Sequence, residues 1–349
     1  MLSSRSSSLP ATRKHSFGEA RARSSTPPSD EDDEDDVNHR IRPNWCGYRH
    51  IFQCRGFRLD TCRDVKQLYQ RYWESLTSQG CNVSKDLPGY LRACSGRSDD
   101  ELCPDVGLPE NLFRGTRCVD GMHVVIKAVH LRSREYDVVR YLSSSPVRQH
   151  PMNHCIRMFS SIPRCCNTYS RFTAILGRIE IPADDVAFIV MEEWSPHLDA
   201  DPPYTLRGFL GFMRQHLEHV VFMHAHRIAH LDISIRNTLT DNKQRYACID
   251  FELSRRFDMA SPRIRCLRAT EPPPEVERGE SCDPYKIDVW ASGMLMLKAS
   301  QLTGLQTPDM LSFITRLLDE DATRRPTARQ ALSAFNNVFR NNDAKHTTG

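Results

Sequence analysis

The sequence predicts an α+β fold of two lobes, a small β-rich part followed by a larger helical part. Three observations carry the prediction. Residues 112–130, LFRGTRCVDGMHVVIKAVH, hold two β-rich runs around Asp120-Gly121, a hairpin turn signal. A further apolar run, VAFIVME at 186–192, has the length and composition of a buried strand. From residue 205 onward the apolar spacing is helical, over 205–227, 284–302, 308–319 and 326–338.

The 349 residues, 39% hydrophobic and 26% charged, suffice for one large domain or two lobes sharing a cleft. A net charge of +3 gives no global case for nucleic acid or an acidic membrane surface as partner. No apolar run approaches the ~18–20 residues of a membrane span. Residues 1–25 lack the apolar core of an export signal. Their Ser- and Arg-rich composition faintly resembles a mitochondrial presequence, but Pro10 interrupts it and no apolar face emerges. An intracellular place, cytoplasmic or nuclear, is therefore expected. Of the 13 cysteines, Cys46, Cys54, Cys62, Cys81, Cys94 and Cys103 precede the main domain. No CxxC pair offers a zinc knuckle, so reduced thiols are expected. The adjacent pair Cys165-Cys166 reads as incidental.

Taken in order, residues 1–40 read as a disordered tail, with SSRSSS, TPPS and the acidic run Asp30–Asp36. RKHS (Arg13–Ser16) and RARS (Arg21–Ser24) fit sites for a basophilic kinase. Residues 41–104 read as an extension with one amphipathic helix at 63–79, whose Val65, Leu68, Tyr69, Tyr72, Trp73 and Leu76 form a docking face. Gly80 marks its stop, and Pro- and Gly-containing loops follow. The main domain spans 105–338. Within it come the hairpin, a short helix at 134–142, and strands at 156–162, 172–181 and 186–192. A second short tail covers 339–349.

The chemistry is concentrated in a few spacings. Phosphorylating a hydroxyl requires a carboxylate to orient it and an amide to hold a metal, close together on a stiff loop. HLDISIRN supplies both as Asp232 and Asn237. VVIK ends at Lys127 on a strand, and Glu135 follows in a helical pattern. Asp250-Phe251 comes after the strand-like RYACID, then Pro274-Glu275, DVWASG from Asp288, and Arg325-Pro326-Thr327. Singly each is bland: a strand lysine is usually a surface charge, a loop aspartate a turn former. The histidines 216, 219, 224, 226 and 230 gather with no carboxylate on one helical face, which disfavours zinc there. Seven such features in this order are informative.

With these motifs the chain resembles the eukaryotic protein kinase superfamily over about 105–338. YLSSSP (141–146) and NHC (153–155) before FIVMEEW are similar to a divergent fungal group of such proteins. The resemblance implies a two-lobed protein-kinase fold, with an N-lobe to about 193 and a C-lobe from about 194. It implies ATP as phosphate donor, Mg²⁺ or Mn²⁺ as cofactor, and a protein substrate or bound client as partner, with Ser/Thr favoured over Tyr. Lys127 would neutralise the phosphates and Glu135 would position it. Asp250 and Asn237 would hold metal. Asp232 would accept the hydroxyl proton, with Arg236 stabilising charge. Leu112, Val125, Met191, Glu192, Trp194 and Leu239 would surround the adenine. Val139, His230 and Phe251 would join the lobes, Glu275 and Arg325 would pair, and Asp288 would brace the loop.

Several positions depart from the family pattern. The glycine-rich phosphate loop is expected just before Leu112, where DVGLPEN retains only Gly107 and places Pro109 among the donors. Val125 stands for a smaller alanine. Leu231 replaces the arginine that receives an activation-segment phosphate, so phosphorylation of Ser254, Ser261 or Thr270 would lack its partner. Ser234 replaces a lysine, partly offset by Arg236. Glu252 replaces the glycine after Asp250-Phe251, bringing negative charge to the metal-binding residues. The span from Asp288 to Arg325 is short for a substrate-docking helix. Two readings stand: an atypical protein kinase, and a pseudokinase that binds or scaffolds with little turnover.

Overall fold

A computed structural model of the chain describes residues 38–78, 94–105, 107–156, 178–194, 198, 202–241, 243–259, 261–265 and 268–345. The sites RKHS and RARS and the pair Cys165-Cys166 lie outside these. So do all but Ile156 of the strand expected at 156–162 and the first part of that expected at 172–181.

The small lobe is built on one five-stranded antiparallel sheet. Its elements begin with α1 (Trp45–Cys54), β1 (Phe57–Leu59) and α2 (Cys62–Ser78). Then come β2 (Leu112–Arg117), β3 (His123–His130), α3 (Arg134–Leu142), β4 (Arg178–Ile181) and β5 (Val186–Glu192). The strand order is β1-β2-β3-β5-β4. The Asp120-Gly121 turn joins β2 to β3, and Gly121 takes φ 72°, the left-handed conformation that glycine supplies without strain.

Strand alternation assigns the two faces. Leu112 lies opposite Lys127, and Val125 opposite Met191, on one side of the sheet. On the other side Val124, Ile126, Ala128, Phe188 and Val190 are buried beneath Trp45, Tyr48 and Phe52 of α1. Phe52 and Phe188 meet edge to face at 4.9 Å, and Trp45 lies 5.0 Å from Phe113. Full burial of each such aromatic is worth ~1.5–3 kcal/mol. The residues before 105 thus supply both an edge strand and the cover of the sheet.

DVGLPEN, where the sequence leads one to expect the phosphate loop, is the last part of a long connection between β1 and β2. The strand that pairs with β2 is β1, with Leu59 opposite Gly115. Between them the chain runs through α2 and returns along 94–105, where Thr61 bridges Leu102 and Cys62 N donates to Glu101 O at 2.9 Å. Ahead of β2, Gly107 N donates to Asp105 Oδ1 at 2.8 Å. A three-residue strand, FRL, offers no period from which its role could be read.

The large lobe contains α4 (Leu206–Ala225), β6 (Ile228–Ala229), β7 (Thr238–Thr240), β8 (Tyr246–Cys248) and β9 (Arg255–Arg256). These are followed by α5 (Pro274–Glu277), α6 (Pro284–Thr303), α7 (Pro308–Leu317) and α8 (Ala328–Lys345). Phe209, Phe212, Leu217, Leu295, Met296, Phe313 and Phe335 form its core. Only α7 stands between α6 and Arg325, the short span noted in the sequence. Arg325, fully buried, forks onto Glu275 at 2.8 and 3.1 Å. No helix among the described residues is long and apolar enough to cross a membrane.

Candidate active site

The floor of the cleft is the loop between β6 and β7. Leu231 takes φ 65°, a left-handed conformation that costs a non-glycine residue about 1–2 kcal/mol. Asp288, from α6, holds it there. Its carboxylate accepts the backbone N–H groups of His230 and Leu231, both at 2.8 Å, and meets His224 Nε2 at 2.9 Å. The Leu231 side chain is buried with Ile264, Val276, Cys282 and Ile287. An apolar residue suits this place because its surroundings are apolar.

The loop presents Asp232 with both oxygens engaged. Asn237 Nδ2 donates to Oδ2 at 2.7 Å, while Thr270 donates to Oδ1 from its hydroxyl at 2.6 Å and its backbone N at 3.1 Å. Thr270, considered in the sequence only as a phosphorylation site, instead fixes the central carboxylate; its position just before PPE was the available signal. Ser254 is fully buried and donates to His230 O at 3.0 Å, which removes it from the accessible hydroxyls. Ser234 is buried too, and its Oγ accepts Asn237 N. Arg236 is exposed and lines a groove of about 580 Å³ with Ile235, Thr270, Glu271, Lys298 and Leu302.

The roof carries Lys127 on β3. Its ammonium donates to Glu135 Oε1 at 2.7 Å and Asp250 Oδ1 at 2.9 Å. Burial alone would lower the Lys127 pKa, yet Glu135, Asp250 and Glu252 together raise it above the ordinary lysine range. Burial, reinforced by Asp250 and Glu252, pushes the Glu135 carboxyl upward against the pull of Lys127. Phe251 meets His230 in a tilted ring contact at 5.1 Å and shares a core with Val139, so the expected link between the lobes is present.

One residue of this roof lay within the predicted disordered tail. Asn38 is buried, in a short 3₁₀ turn (Asn38–Arg40). Its Nδ2 donates to Glu135 Oε2 at 2.9 Å, and its backbone N donates to Glu252 Oε1 at 3.2 Å. Its Oδ1 accepts His130 N at 2.9 Å, and its carbonyl accepts Asn111 Nδ2 at 3.2 Å. Glu252, which the sequence placed as a perturbing charge, is thus buried against Asn38. No sequence pattern distinguishes this asparagine from its polar neighbours.

The residues expected around an adenine are placed as follows. Leu112, Val125 and Met191 lie half-buried on the same side of the sheet as Lys127, and Leu239 lies on β7 in the other lobe. Glu192 ends β5, and Trp194 follows it with the Arg245 guanidinium 5.3 Å from its ring. The pair expected to hold metal, Asp250 and Asn237, offers oxygen donors, which suit a hard dication. Asn237 commits its Nδ2 to Asp232, which leaves the amide oxygen to face a cation. Residues 124–305, just over half of the chain, match a family model described as a protein kinase domain. The match takes in Lys127, Glu135, Asp232, Asn237, Asp250 and Glu275.

Proposed function

We propose that this chain, which belongs to the protein kinase family, transfers the γ-phosphate of ATP to a protein hydroxyl, Ser or Thr in preference to Tyr. The observation that carries this reading is the ammonium of Lys127 bridging Glu135 and Asp250 across the cleft from an anchored Asp232. All the groups that would touch phosphate, metal and hydroxyl are assembled rather than dispersed.

The residues divide the work. Lys127 supplies fixed positive charge for phosphate oxygens, and Glu135 keeps it in place. Asp232, oriented by Asn237 and Thr270, accepts the proton of the attacking hydroxyl as the new P–O bond forms and the bond to the diphosphate leaving group breaks. A positioned proton acceptor of this kind contributes ~10²–10⁴-fold. Mg²⁺, held by Asp250 and Asn237, would neutralise phosphate charge. The groove lined by Arg236 and by Thr270, whose hydroxyl bonds Asp232, offers a place for a substrate segment. Protein kinase domains generally use ATP and Mg²⁺, which supports the assignment of both.

Leu231 supports a further part of the reading, activity without activation-segment phosphorylation. Ile264 in that segment shares a buried cluster with Leu231, and Ile264 and Cys282 exchange two backbone hydrogen bonds at 2.9 and 2.7 Å. Apolar packing occupies the place where a phosphate would meet an arginine. The second reading, a pseudokinase scaffold, is favoured by one observation: the long β1–β2 connection stands where a short glycine hairpin would cover phosphates.

Radiolabelled phosphate transfer by wild type, by Asp232→Asn and by phosphatase-treated wild type decides between them, alongside thermal shift with ATP and Mg²⁺. The expected outcome is a nucleotide-dependent shift and transfer that survives the phosphatase. Transfer should fall ~10²–10⁴-fold in Asp232→Asn. Equal transfer by Asp232→Asn overturns the assigned base. Absence of any shift and any transfer leaves the scaffold reading.

A further inference from the structure

The connection between β1 and β2 contains a cluster that the phosphotransfer reading does not use. Cys62 opens α2, while Cys94 and Cys103 come from the segment that returns beside it. All three are buried, and one Sγ from each lies within 4.8 Å of the other two. Cys94 Sγ and Cys103 Sγ stand 3.9 Å apart. That is far beyond the ~2.05 Å of a disulfide. It is close to the ~3.8 Å edge expected between two thiolates of a tetrahedron with Zn–S bonds of ~2.3 Å.

The backbone sets this convergence. Thr61 bridges Leu102, Cys62 N donates to Glu101 O at 2.9 Å, and Cys103 N donates to Asp60 O at 3.2 Å. These contacts fix the residues that carry two of the thiols. Cys94 approaches from its own turn, with Sγ 3.9 Å from Cys62 O. Val65 and Tyr69 of α2 wall the cluster, and the Tyr69 hydroxyl donates to Asp105 Oδ1 at 3.1 Å. Three soft donors in a small apolar shell suit Zn²⁺, not the hard oxygen-seeking dications.

We propose that Cys62, Cys94 and Cys103 form a zinc site that staples the β1–β2 connection. Three thiolates would take three corners of a tetrahedron, and a solvent molecule or small donor would take the fourth. Loading replaces the three thiol protons with one dication, and the protons leave to solvent. Without metal, burial raises the pKa of Cys94 and pushes that of Cys103 up to about 12, so these two thiols stay protonated. Because Cys62 opens α2 just after β1, and Cys94 and Cys103 lie on the returning segment, the ion would tie the two arms of the connection together beside the outer edge of the sheet. The inference does not depend on phosphotransfer, since its readout is metal content.

The test uses the full chain, reduced, loaded with zinc and then passed through a chelator that strips loosely held ions. The expected result is a single retained zinc ion per chain. Cobalt(II) replacing it should give the charge-transfer and visible bands of thiolate-bound tetrahedral cobalt. Cys94→Ser and Cys103→Ser should each lose the retained zinc, and Cys248→Ser, altered at a buried thiol elsewhere, should keep it. If the serine variants fail to fold, zinc release from wild type on titrating its thiols with a mercurial reads the same ligation. No retained zinc and no cobalt bands in folded wild type overturn the proposal, as does zinc that persists unchanged in folded Cys94→Ser. A Cys94–Cys103 disulfide forming in preference to zinc uptake overturns it as well.

Discussion

The two walls of the cleft are built on different plans. In the lower wall the buried charges are matched within short reach. Arg325 forks onto Glu275, and Asp288 receives two backbone N–H groups and His224. In the upper wall one ammonium, Lys127, faces three carboxylates, Glu135, Asp250 and Glu252. Asn38 adds neutral donors to two of these carboxylates, Glu135 and Glu252. The lower wall can therefore hold its geometry by itself. The upper wall depends on a segment brought from the far end of the chain, since Asn38 donates both to Glu135 and to Glu252.

The contrast can be broken most forcefully in the lower wall. Glu275→Ala leaves Arg325 buried without its carboxylate, and breaking a buried pair on one side costs ~3–5 kcal/mol. Chemical denaturation should show that loss, together with weakened protection of α5 and α6 in hydrogen exchange. A loss under 1 kcal/mol would mean that the Lys286 and Asp319 carbonyls, which also accept from Arg325, suffice to hold the guanidinium.

A smaller effect is expected from Asn38→Ala, and its location matters more than its size. The change removes the donor to Glu135 Oε2 and the acceptor of His130 N, both buried. Each unsatisfied group costs ~1–3 kcal/mol, so a loss of about 2–4 kcal/mol is expected. Hydrogen exchange should rise in α3 and β3 and stay unchanged in α4 and α6. Nucleotide affinity should fall with the loosened Lys127–Glu135 pair. Uniform loosening of both lobes would show that the walls are not separable.

The same division explains what the sequence made legible. Asp232 and Asn237 sit on one short loop, and Lys127 and Glu135 lie eight positions apart, so local spacing reveals them. Asn38 reaches Glu135 across 97 positions and Glu252 across 214, and one asparagine in a polar segment carries no period or motif. The strand β1 is equally silent: three residues acquire their meaning only by pairing with β2. The cysteines were visible as a count, but their convergence depends on the Thr61–Leu102 bridge. Helices with strong apolar periods were readable to within a few residues, 62–78 against the expected 63–79.

The smallest effect is also the one with a reversed sign. Asp60, at the end of β1, is buried, and its Oδ1 has no hydrogen-bond partner. Arg58 offsets its charge only in part, being forked onto Asp64 at 2.5 and 2.9 Å. Burial, then the Asp64 charge, push the Asp60 carboxyl up from 3.8 to about 6. Between these values the folded chain holds a proton that the unfolded chain has released, so stability falls as pH rises through the window. The cost is complete above pH 6 and absent below pH 4. Asp60→Asn should therefore stabilise the protein by about 2 kcal/mol at pH 7.5, and the gain should vanish as pH approaches 4. Melting curves of the two proteins across that range provide the check. A variant less stable at every pH would mean that Asp60 works for the fold as a charge. The cavity of about 180 Å³ that it lines with Arg71, Arg114 and His123 would then be where to seek its counterion.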